Sequence, residues 1–132
     1  MSEPTHEKEK LSPTRAAVVH KFQVGSYKGY LTVGFFPDGR VGEIFCHISK
    51  EGSTVGGFVD TIAILTSVAL QNGVPLSELV DKLSHIAFEP SGHTNNPEIR
   101  YASSIVDYIF RWLGNNYCKP NATTTGDKAT PS

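Results

Sequence analysis

The spacing of apolar residues changes once along this chain, and this change limits the fold more than any other feature. From Val18 to Ser49 apolar side chains alternate along three short runs, and Pro37-Asp38-Gly39-Arg40 forms a strong hairpin-turn signal between the second and the third. From Thr54 to Asn72 apolar residues recur at helical spacing. Strands followed by helices predict an α+β fold.

We expect a three-stranded, or slightly larger, antiparallel sheet that packs on three helices in two layers. The helix predicted over Thr54–Asn72 is apolar on nearly all sides from Ile62 onward, which is typical of a central buried helix. A short second helix follows Pro75. The third is predicted with Asn96 as its N-cap, Pro97 as its first residue and Gly114 just past its end.

The predicted sheet carries large apolar side chains on both faces. One layer of helices covers only one face of a sheet. We therefore expect a partner subunit to cover the second face, which carries Tyr30, Phe36, Val41 and Phe45.

Length and composition favour one domain. The chain has 132 residues, and the polar segments 1–14 and 119–132 are predicted to be disordered, which leaves a single domain over 15–118. The formal net charge of −1 argues against binding of a DNA or RNA polymer. No apolar run approaches the ~20 residues of a membrane span, and the N-terminus does not resemble a signal peptide. With two cysteines and no disulfide scaffold, a cytoplasmic location is expected.

The junction before the first helix is one candidate binding site. A helix N-terminus presents free amide groups and the positive end of the helix dipole, which favour anions. Lys50, Gly52, Ser53 and Thr54 could bind a phosphate there, although neither common nucleotide fingerprint is present. The alternative is structural, with Ser53 or Thr54 as a helix cap and the glycines allowing close packing.

A second candidate site lies in the polar connection after the short helix. Its candidate ligand residues are Phe88, Ser91, His93 and Asn95. Phe88 could stack on a base or fill the core, and Asn95 could equally be a turn residue.

Two arginines complete the candidate ligand site. On the predicted third helix, Arg100 and Arg111 share a face and could hold a phosphate. They could instead pair with Glu98 or Asp107.

No pattern in the sequence indicates catalysis, a cofactor or a metal. The five histidines and two cysteines are scattered without ligand spacing, and no nucleophile is spaced to a base. Cys46, in a strand pattern, is most simply a small core residue.

Five motifs in order resemble one known family. They are Gly29-Tyr30-Leu31-Thr32-Val33, Gly42-Glu43-Ile44-Phe45, Lys50-Glu51-Gly52-Ser53-Thr54, Phe88-Glu89-Pro90-Ser91-Gly92 and Ser104-Ile105-Val106-Asp107-Tyr108-Ile109-Phe110-Arg111-Trp112-Leu113. The chain resembles, from about Thr14 to Leu113, the C-terminal TSCPD-type domain of adenosylcobalamin-dependent class II ribonucleotide reductases. The family's catalytic barrel and cysteine-rich tail have no counterpart in this sequence. The resemblance therefore implies shared ancestry without reductase activity.

Two functions follow as expectations. The first is a non-catalytic protein that binds a phosphate-containing nucleotide in order to sense or sequester it, by analogy with phage proteins that sequester cyclic-nucleotide or ADP-ribose-type signals. The alternative is an oligomerisation or interaction module associated with a class II ribonucleotide reductase. A homo-oligomer that binds nucleotide between its subunits would satisfy both.

Overall fold

The computed structural model describes residues 8–49 and 54–118, which form five strands and three helices. In chain order these are β1 (Ala17–Val24), β2 (Tyr27–Phe35), β3 (Val41–Ile48), α1 (Thr54–Gln71), α2 (Leu76–Leu83), β4 (Gly92–Asn96), β5 (Ile99–Ala102) and α3 (Ile105–Tyr117). All strand pairs are antiparallel, in the order β3-β2-β1-β4-β5. The predicted α+β fold is confirmed, and the sheet is larger than the expected three-stranded meander.

The meander of β1, β2 and β3 forms where the period-two pattern predicts it. β1 and β2 pair from Ala17 opposite Gly34 to Val24 opposite Tyr27. The predicted hairpin turn between β2 and β3 is present, with Phe36 N donating to Arg40 O over 2.8 Å. Gly39 has a φ of 94°, a conformation that an L side chain rarely adopts, so glycine suits this turn.

Helix side chains cap both edge strands of the sheet. On β3, Ser67 Oγ of α1 accepts from Ile44 N over 2.9 Å and donates to Ile44 O over 3.1 Å. On β5, Arg111 Nη1 of α3 donates to Tyr101 O over 2.9 Å. These hydrogen bonds occupy one residue of each edge strand, which makes that part of the edge a poorer template for pairing with another strand.

The predicted start of the third helix is wrong. The segment around Asn96 forms the β4–β5 hairpin, in which Asn96 Oδ1 accepts from Glu98 N over 2.9 Å. Asn96 Nδ2 donates to Tyr108 Oη over 3.1 Å. Asn96 is therefore a turn residue, because both ends of its amide are engaged within the hairpin and with α3, and Pro97 follows it in the turn.

α3 begins instead after Ser104. The Ser104 hydroxyl accepts from Asp107 N over 2.9 Å, which is the usual N-cap hydrogen bond. The helix continues past Gly114, the predicted end, to Tyr117. Gly114 therefore lies inside the helix. Glycine suits this position because α2 approaches closely: a Cβ here would lie 2.8 Å from Val80 Cγ1.

The interpretation of the long helix as buried on all sides is also wrong for the single chain. α1 has the predicted length, and Gly73 follows its end with a φ of 95°. Only four of its residues are buried: Val59, Ala63, Thr66 and Leu70. The opposite side carries four exposed large apolar residues: Phe58, Ile64, Leu65 and Val68. We call these four residues the α1 outer face.

The sheet's second face carries a different apolar set from the expected one. Phe36 and Val41, which we expected there, are buried within the chain. Tyr30 and Phe45 are exposed on that face as expected, and Val19, whose partner Thr32 pairs with Phe45, is exposed there too. Pairing across β1, β2 and β3 aligns Lys21 with Tyr30 and His47, so charged and polar side chains interrupt the aromatic ones.

Most of the two terminal segments predicted to be disordered lies outside the described residues, namely residues 1–7 and 119–132. In the described segment 8–14, Glu9 N donates to Gln71 O over 2.7 Å, and the Leu11 side chain lies against Gly42. This segment therefore contacts the end of α1 and the start of β3.

Candidate functional site

The first candidate segment is only partly described. Lys50, Gly52 and Ser53 lie outside the described residues. Thr54 is the exposed first residue of α1 and lines a cavity of about 210 Å³ at that end of the helix. Phe88, Glu89 and Pro90 line the same cavity. The fold therefore brings the start of α1 together with the start of the second candidate segment.

A buried carboxylate fixes the segment that leads to Phe88. Asp107 is fully buried, and its carboxylate accepts from His85 N over 2.7 Å and from Ser103 N over 2.8 Å. His85 has a φ of 67°, which is uncommon outside glycine. The Asp107 carboxylate thus holds the chain where it leaves α2, at a residue with this uncommon backbone conformation.

Two further hydrogen bonds extend this anchor to Phe88. Ser104 Oγ donates to Ile86 O over 2.6 Å, and Phe88 N donates to Ser103 O over 3.1 Å. These bonds attach the segment 85–88 to the N-terminal end of α3. The backbone of Phe88 is therefore fixed, although its side chain is 44% exposed.

Phe88 lines three cavities. The first, of about 210 Å³, lies between the start of α1 and Pro90. The second, of about 320 Å³, lies on the hairpin side and includes Ser91, Tyr101 and Ser103. The third is an apolar groove of about 380 Å³ between α1 and α2. The alternative role for Phe88, a side chain that fills the core, is therefore wrong, because this side chain is half-exposed.

Of the candidates Ser91, His93 and Asn95, only Ser91 lines the second cavity. Ser91 Oγ accepts from Tyr101 Oη over 3.4 Å. The His93 ring lies edge-on against Tyr101, with ring centroids 5.5 Å apart. Asn95 is exposed on β4 and lines none of the three cavities around Phe88.

The prediction that two arginines share a helical face is wrong, because residues 99–102 form a strand. Arg100 is exposed on β5. Arg111 is on α3, where its Nη1 lies 3.3 Å from Asp107 Oδ2 and also donates to Tyr101 O. The structural alternative, a pair with Asp107, is therefore the correct one for Arg111. Neither arginine lines the cavities around Phe88.

The polar groups of the first two cavities are acceptors and hydroxyls. Glu89 lines both cavities, and no Lys or Arg is among their described lining residues. The remaining polar side chains are Thr54 in the first cavity and Ser91, Tyr101 and Ser103 in the second. Among the described lining residues the charge therefore does not favour a phosphate against Phe88.

The structure also contains a polar cluster that the sequence analysis missed. Tyr108 Oη accepts from Asn96 Nδ2 over 3.1 Å and lies 2.9 Å from His20 Nε2. The His20 ring stacks on Trp112 with centroids 4.3 Å apart. Burial lowers the pKa of His20 and raises that of Tyr108. The inward position of His20 in the period-two pattern of β1 was the available signal for this cluster.

The cysteines and acidic groups form no metal-binding cluster within residues 8–49 and 54–118. Cys46 is buried as predicted, and burial raises the pKa of its thiol to about 12. A thiol with such a pKa is protonated at neutral pH and is a poor nucleophile.

The α1 outer face is the other candidate surface. It continues into the groove between α1 and α2, which includes Leu65 and Leu79. By length and composition alone α1 could also cross a membrane, since its 18 residues have a mean hydropathy of 1.4. Its hydrogen bonds from Ser67 and Gln71 to β3 attach it to the sheet. Core helices of soluble proteins pass the same test, so this is weak support for a membrane span.

The fold and the two surfaces define a small α+β domain, in which helices cover one sheet face and one helix exposes an apolar side. A family model of the TSCPD domain matches residues 5–117. The chain belongs to the TSCPD domain family, as its motifs indicated.

Relatives of this chain are much longer proteins. The chain is 51% identical over 114 residues to a vitamin B12-dependent ribonucleotide reductase of Rhodopirellula baltica, a match that covers 86% of this chain and 11% of that protein. It is 45% identical to a reductase of the same name from Streptomyces coelicolor, a match that covers 80% of this chain and 11% of that protein. It is also 45% identical to one from Bradyrhizobium diazoefficiens, over 84% of this chain and 9% of that protein. The chain thus spans about a tenth of these relatives. No solved structure matches it.

Proposed function

We propose that this chain is a non-catalytic assembly module whose α1 outer face packs against a second copy of the chain. The observation that carries the proposal is that α1 is apolar on nearly all sides from Ile62 onward, while only one side is covered. A helix of this kind is normally buried all round. Phe58, Ile64, Leu65 and Val68 form a contiguous exposed apolar surface, and such surfaces on soluble domains commonly mark interfaces.

A second copy suits this face because its four apolar residues carry no charge. Asp60, the only charged residue of α1, is exposed and lies one helical turn before Ile64, at the edge of this face. Two uncharged apolar faces are complementary to each other under a two-fold axis. A different protein would gain specificity from several matched charges, and this face offers only Asp60 at its edge.

The opposite sheet face is less suited to the same role. Tyr30 lies between Lys21 and His47, and Phe45 lies on the strand next to Thr32. Alternation of this kind is common on the solvated face of an antiparallel sheet. Both sheet edges are capped by helix side chains. The α1 outer face is therefore the surface for which the proposal predicts a partner.

Matched substitutions test this assembly. Val68 on α1 is 48% exposed and Val19 on the sheet face is 63% exposed. We expect Val68→Lys to reduce the mass measured by size-exclusion light scattering to that of one chain, because a buried lysine would lack a partner. Val19→Lys, the control, should leave the oligomer intact.

Three results would contradict the proposal. The wild-type chain could be a monomer at all concentrations, or Val19→Lys could be the variant that dissociates it. The chain could also be monomeric and bind lipid vesicles or a class II reductase through Val68. That result would favour the alternative interaction module over self-association.

Nucleotide binding is a second candidate function, favoured by one observation. The two segments predicted to bind a nucleotide meet at one cavity, which Thr54 and Phe88 both line. The protein would then sense or sequester a nucleotide without turnover. Calorimetry with a panel of cyclic and ADP-ribose-type nucleotides tests this function. Absence of binding to the whole panel would overturn it.

A cytoplasmic location and the absence of DNA or RNA polymers among the partners belong to the same proposal. The location rests on two cysteines without a disulfide scaffold, and the absence of nucleic-acid polymers rests on the balance of 12 Lys and Arg against 13 Asp and Glu. Proteins that bind nucleic acid mainly through phosphates carry an excess of basic residues.

A further inference from the structure

We propose that the two cavities on either side of Phe88 form a site for the uncharged nucleoside part of a ligand, with the base stacked on Phe88 and no phosphate beside it. This inference rests on the second candidate function and names the part of the ligand that this site recognises. It differs from the sequence-based expectation, in which Arg100 and Arg111 hold a phosphate.

The ring of Phe88 provides the stacking surface. It is 44% exposed and lines both the cavity of about 210 Å³ and that of about 320 Å³. The walls of the first cavity are mainly apolar, with Val55, Val59 and Ile62 from α1. A flat aromatic ring can therefore replace water on Phe88 while it contacts aliphatic side chains, as bases do in aromatic binding sites.

Hydroxyl groups in the second cavity suit the sugar. Ser91, Tyr101 and Ser103 line this cavity, and Tyr101 Oη donates to Ser91 Oγ over a long distance of 3.4 Å. Such a weak hydrogen bond is readily exchanged for one to a ligand. Ribose hydroxyls can both donate and accept, so they match this set of groups.

Glu89 is the only charged residue among the described lining residues of the two cavities. It lines both cavities, and none of their described lining residues is Lys or Arg. A carboxylate attracts the amino and hydroxyl donors of a nucleoside and repels a phosphate. The nearby Arg111 does not offset this charge, because it is bonded to Asp107 and Tyr101 O.

The site is also held in place before any ligand binds. Phe88 N donates to Ser103 O, and Ser104 Oγ donates to Ile86 O beside it. Asp107 holds His85 N and Ser103 N at the two ends of this connection. A site whose backbone is fixed in this way loses less entropy on binding.

Calorimetry with defined probes tests the inference. The probes are adenosine, guanosine, cytidine and uridine, together with their 5′-monophosphates. We expect at least one nucleoside to bind, and its 5′-monophosphate to bind about tenfold more weakly or worse because of Glu89. Binding of a monophosphate more tightly than its nucleoside would overturn this inference and leave nucleotide binding intact. Absence of binding to every nucleoside and nucleotide would overturn both.

Two variants locate the site. Phe88→Ala should weaken nucleoside binding about tenfold or more, since stacking is lost. Phe45→Ala is the matched control, because Phe45 is also a half-exposed phenylalanine, at 54%, but lies on the far sheet face. Glu89→Gln should reduce the preference for nucleoside over monophosphate. Equal effects of the two phenylalanine variants on nucleoside binding would contradict the assignment, and so would an unchanged preference in Glu89→Gln. Thermal unfolding checks that each variant folds.

Discussion

The two longest helices of this protein differ in how completely their own chain covers them. α3 has eight buried residues from Ile105 to Leu113, and its buried carboxylate, Asp107, has hydrogen-bond partners on both oxygens. α1 is longer, yet only four of its residues are buried, and its outer face is apolar and exposed. The chain itself therefore covers α3, whereas it leaves the outer face of α1 uncovered.

This difference separates the roles of the two helices. α3 anchors the chain around Phe88 and closes the core, so changes there should affect the stability of a single chain. The α1 outer face contributes little to that stability, so changes there should affect association instead. The predictions below test this separation, beginning with the largest expected effect on stability.

Asp107→Asn should be strongly destabilising. The variant keeps the shape of the side chain but removes the charge opposite Arg111, and it places an NH₂ group where one carboxylate oxygen accepts from a backbone N–H. Breaking a buried charged network of this kind costs about 3 kcal/mol or more. Urea unfolding monitored by Trp112 fluorescence measures it. A loss below ~1 kcal/mol would mean that α3 depends on its apolar contacts alone.

Ser67→Ala should have a smaller effect, on the covered side of α1. It removes a hydroxyl that accepts from Ile44 N and donates to Ile44 O at the β3 edge. We expect a loss of about 1–2 kcal/mol in urea unfolding. Ser49→Ala is the control, since the Ser49 hydroxyl makes one exposed hydrogen bond, to Lys28 O. Equal losses in the two variants would contradict a specific role of Ser67 in capping the edge.

The smallest effect is expected from His20 of β1, whose ring lies against Tyr108 and Trp112 of α3. Burial lowers the pKa of His20, so the folded state favours its neutral form. Its contribution to stability should be fully present above about pH 6.5, the ordinary histidine pKa, and should be lost as the pH falls through the lowered value.

The measurement is the urea midpoint from about pH 5 to about pH 8 for the wild type, for His20→Gln and for the exposed control His47→Gln. The difference between wild type and His20→Gln should shrink as the pH falls. A difference that does not vary with pH would contradict a role for neutral His20.

Local patterns predicted β1, β2, β3 and α1, because the period of two and the helical period appear directly in the sequence. β4 could not be predicted in this way: its residues, Gly92–Asn96, are polar and do not alternate with apolar ones. The start of α3 was predictable in principle, since Ser104 and Asp107 have the spacing of a capping box. Asn96 and Pro97 gave a competing signal of the same kind and form a turn instead.

The candidate site was predictable only in part, because its residues are far apart in the sequence. The sequence marks Thr54 and Phe88 separately, and only the tertiary fold places them beside one cavity. Asp107 lies four residues before Arg111 in either helix, so the sequence offered this pair. A helix from Pro97 offered the competing placement of Arg100 and Arg111 on one face. The exposed side of α1 had a sequence signal, the apolar pattern on all sides, but that pattern does not say whether the same chain covers it.

The central claim is that the α1 outer face is covered in solution. The most direct measurement is the broadening of methyl NMR signals by a soluble paramagnetic agent, read at Ile64, Leu65 and Val68. Buried Leu113 and exposed Val19 are the references. We predict that the three α1 methyl groups are protected like those of Leu113, and that Val68→Lys exposes Ile64 and Leu65. Broadening of all three to the extent seen at Val19 in the wild-type protein would contradict the claim.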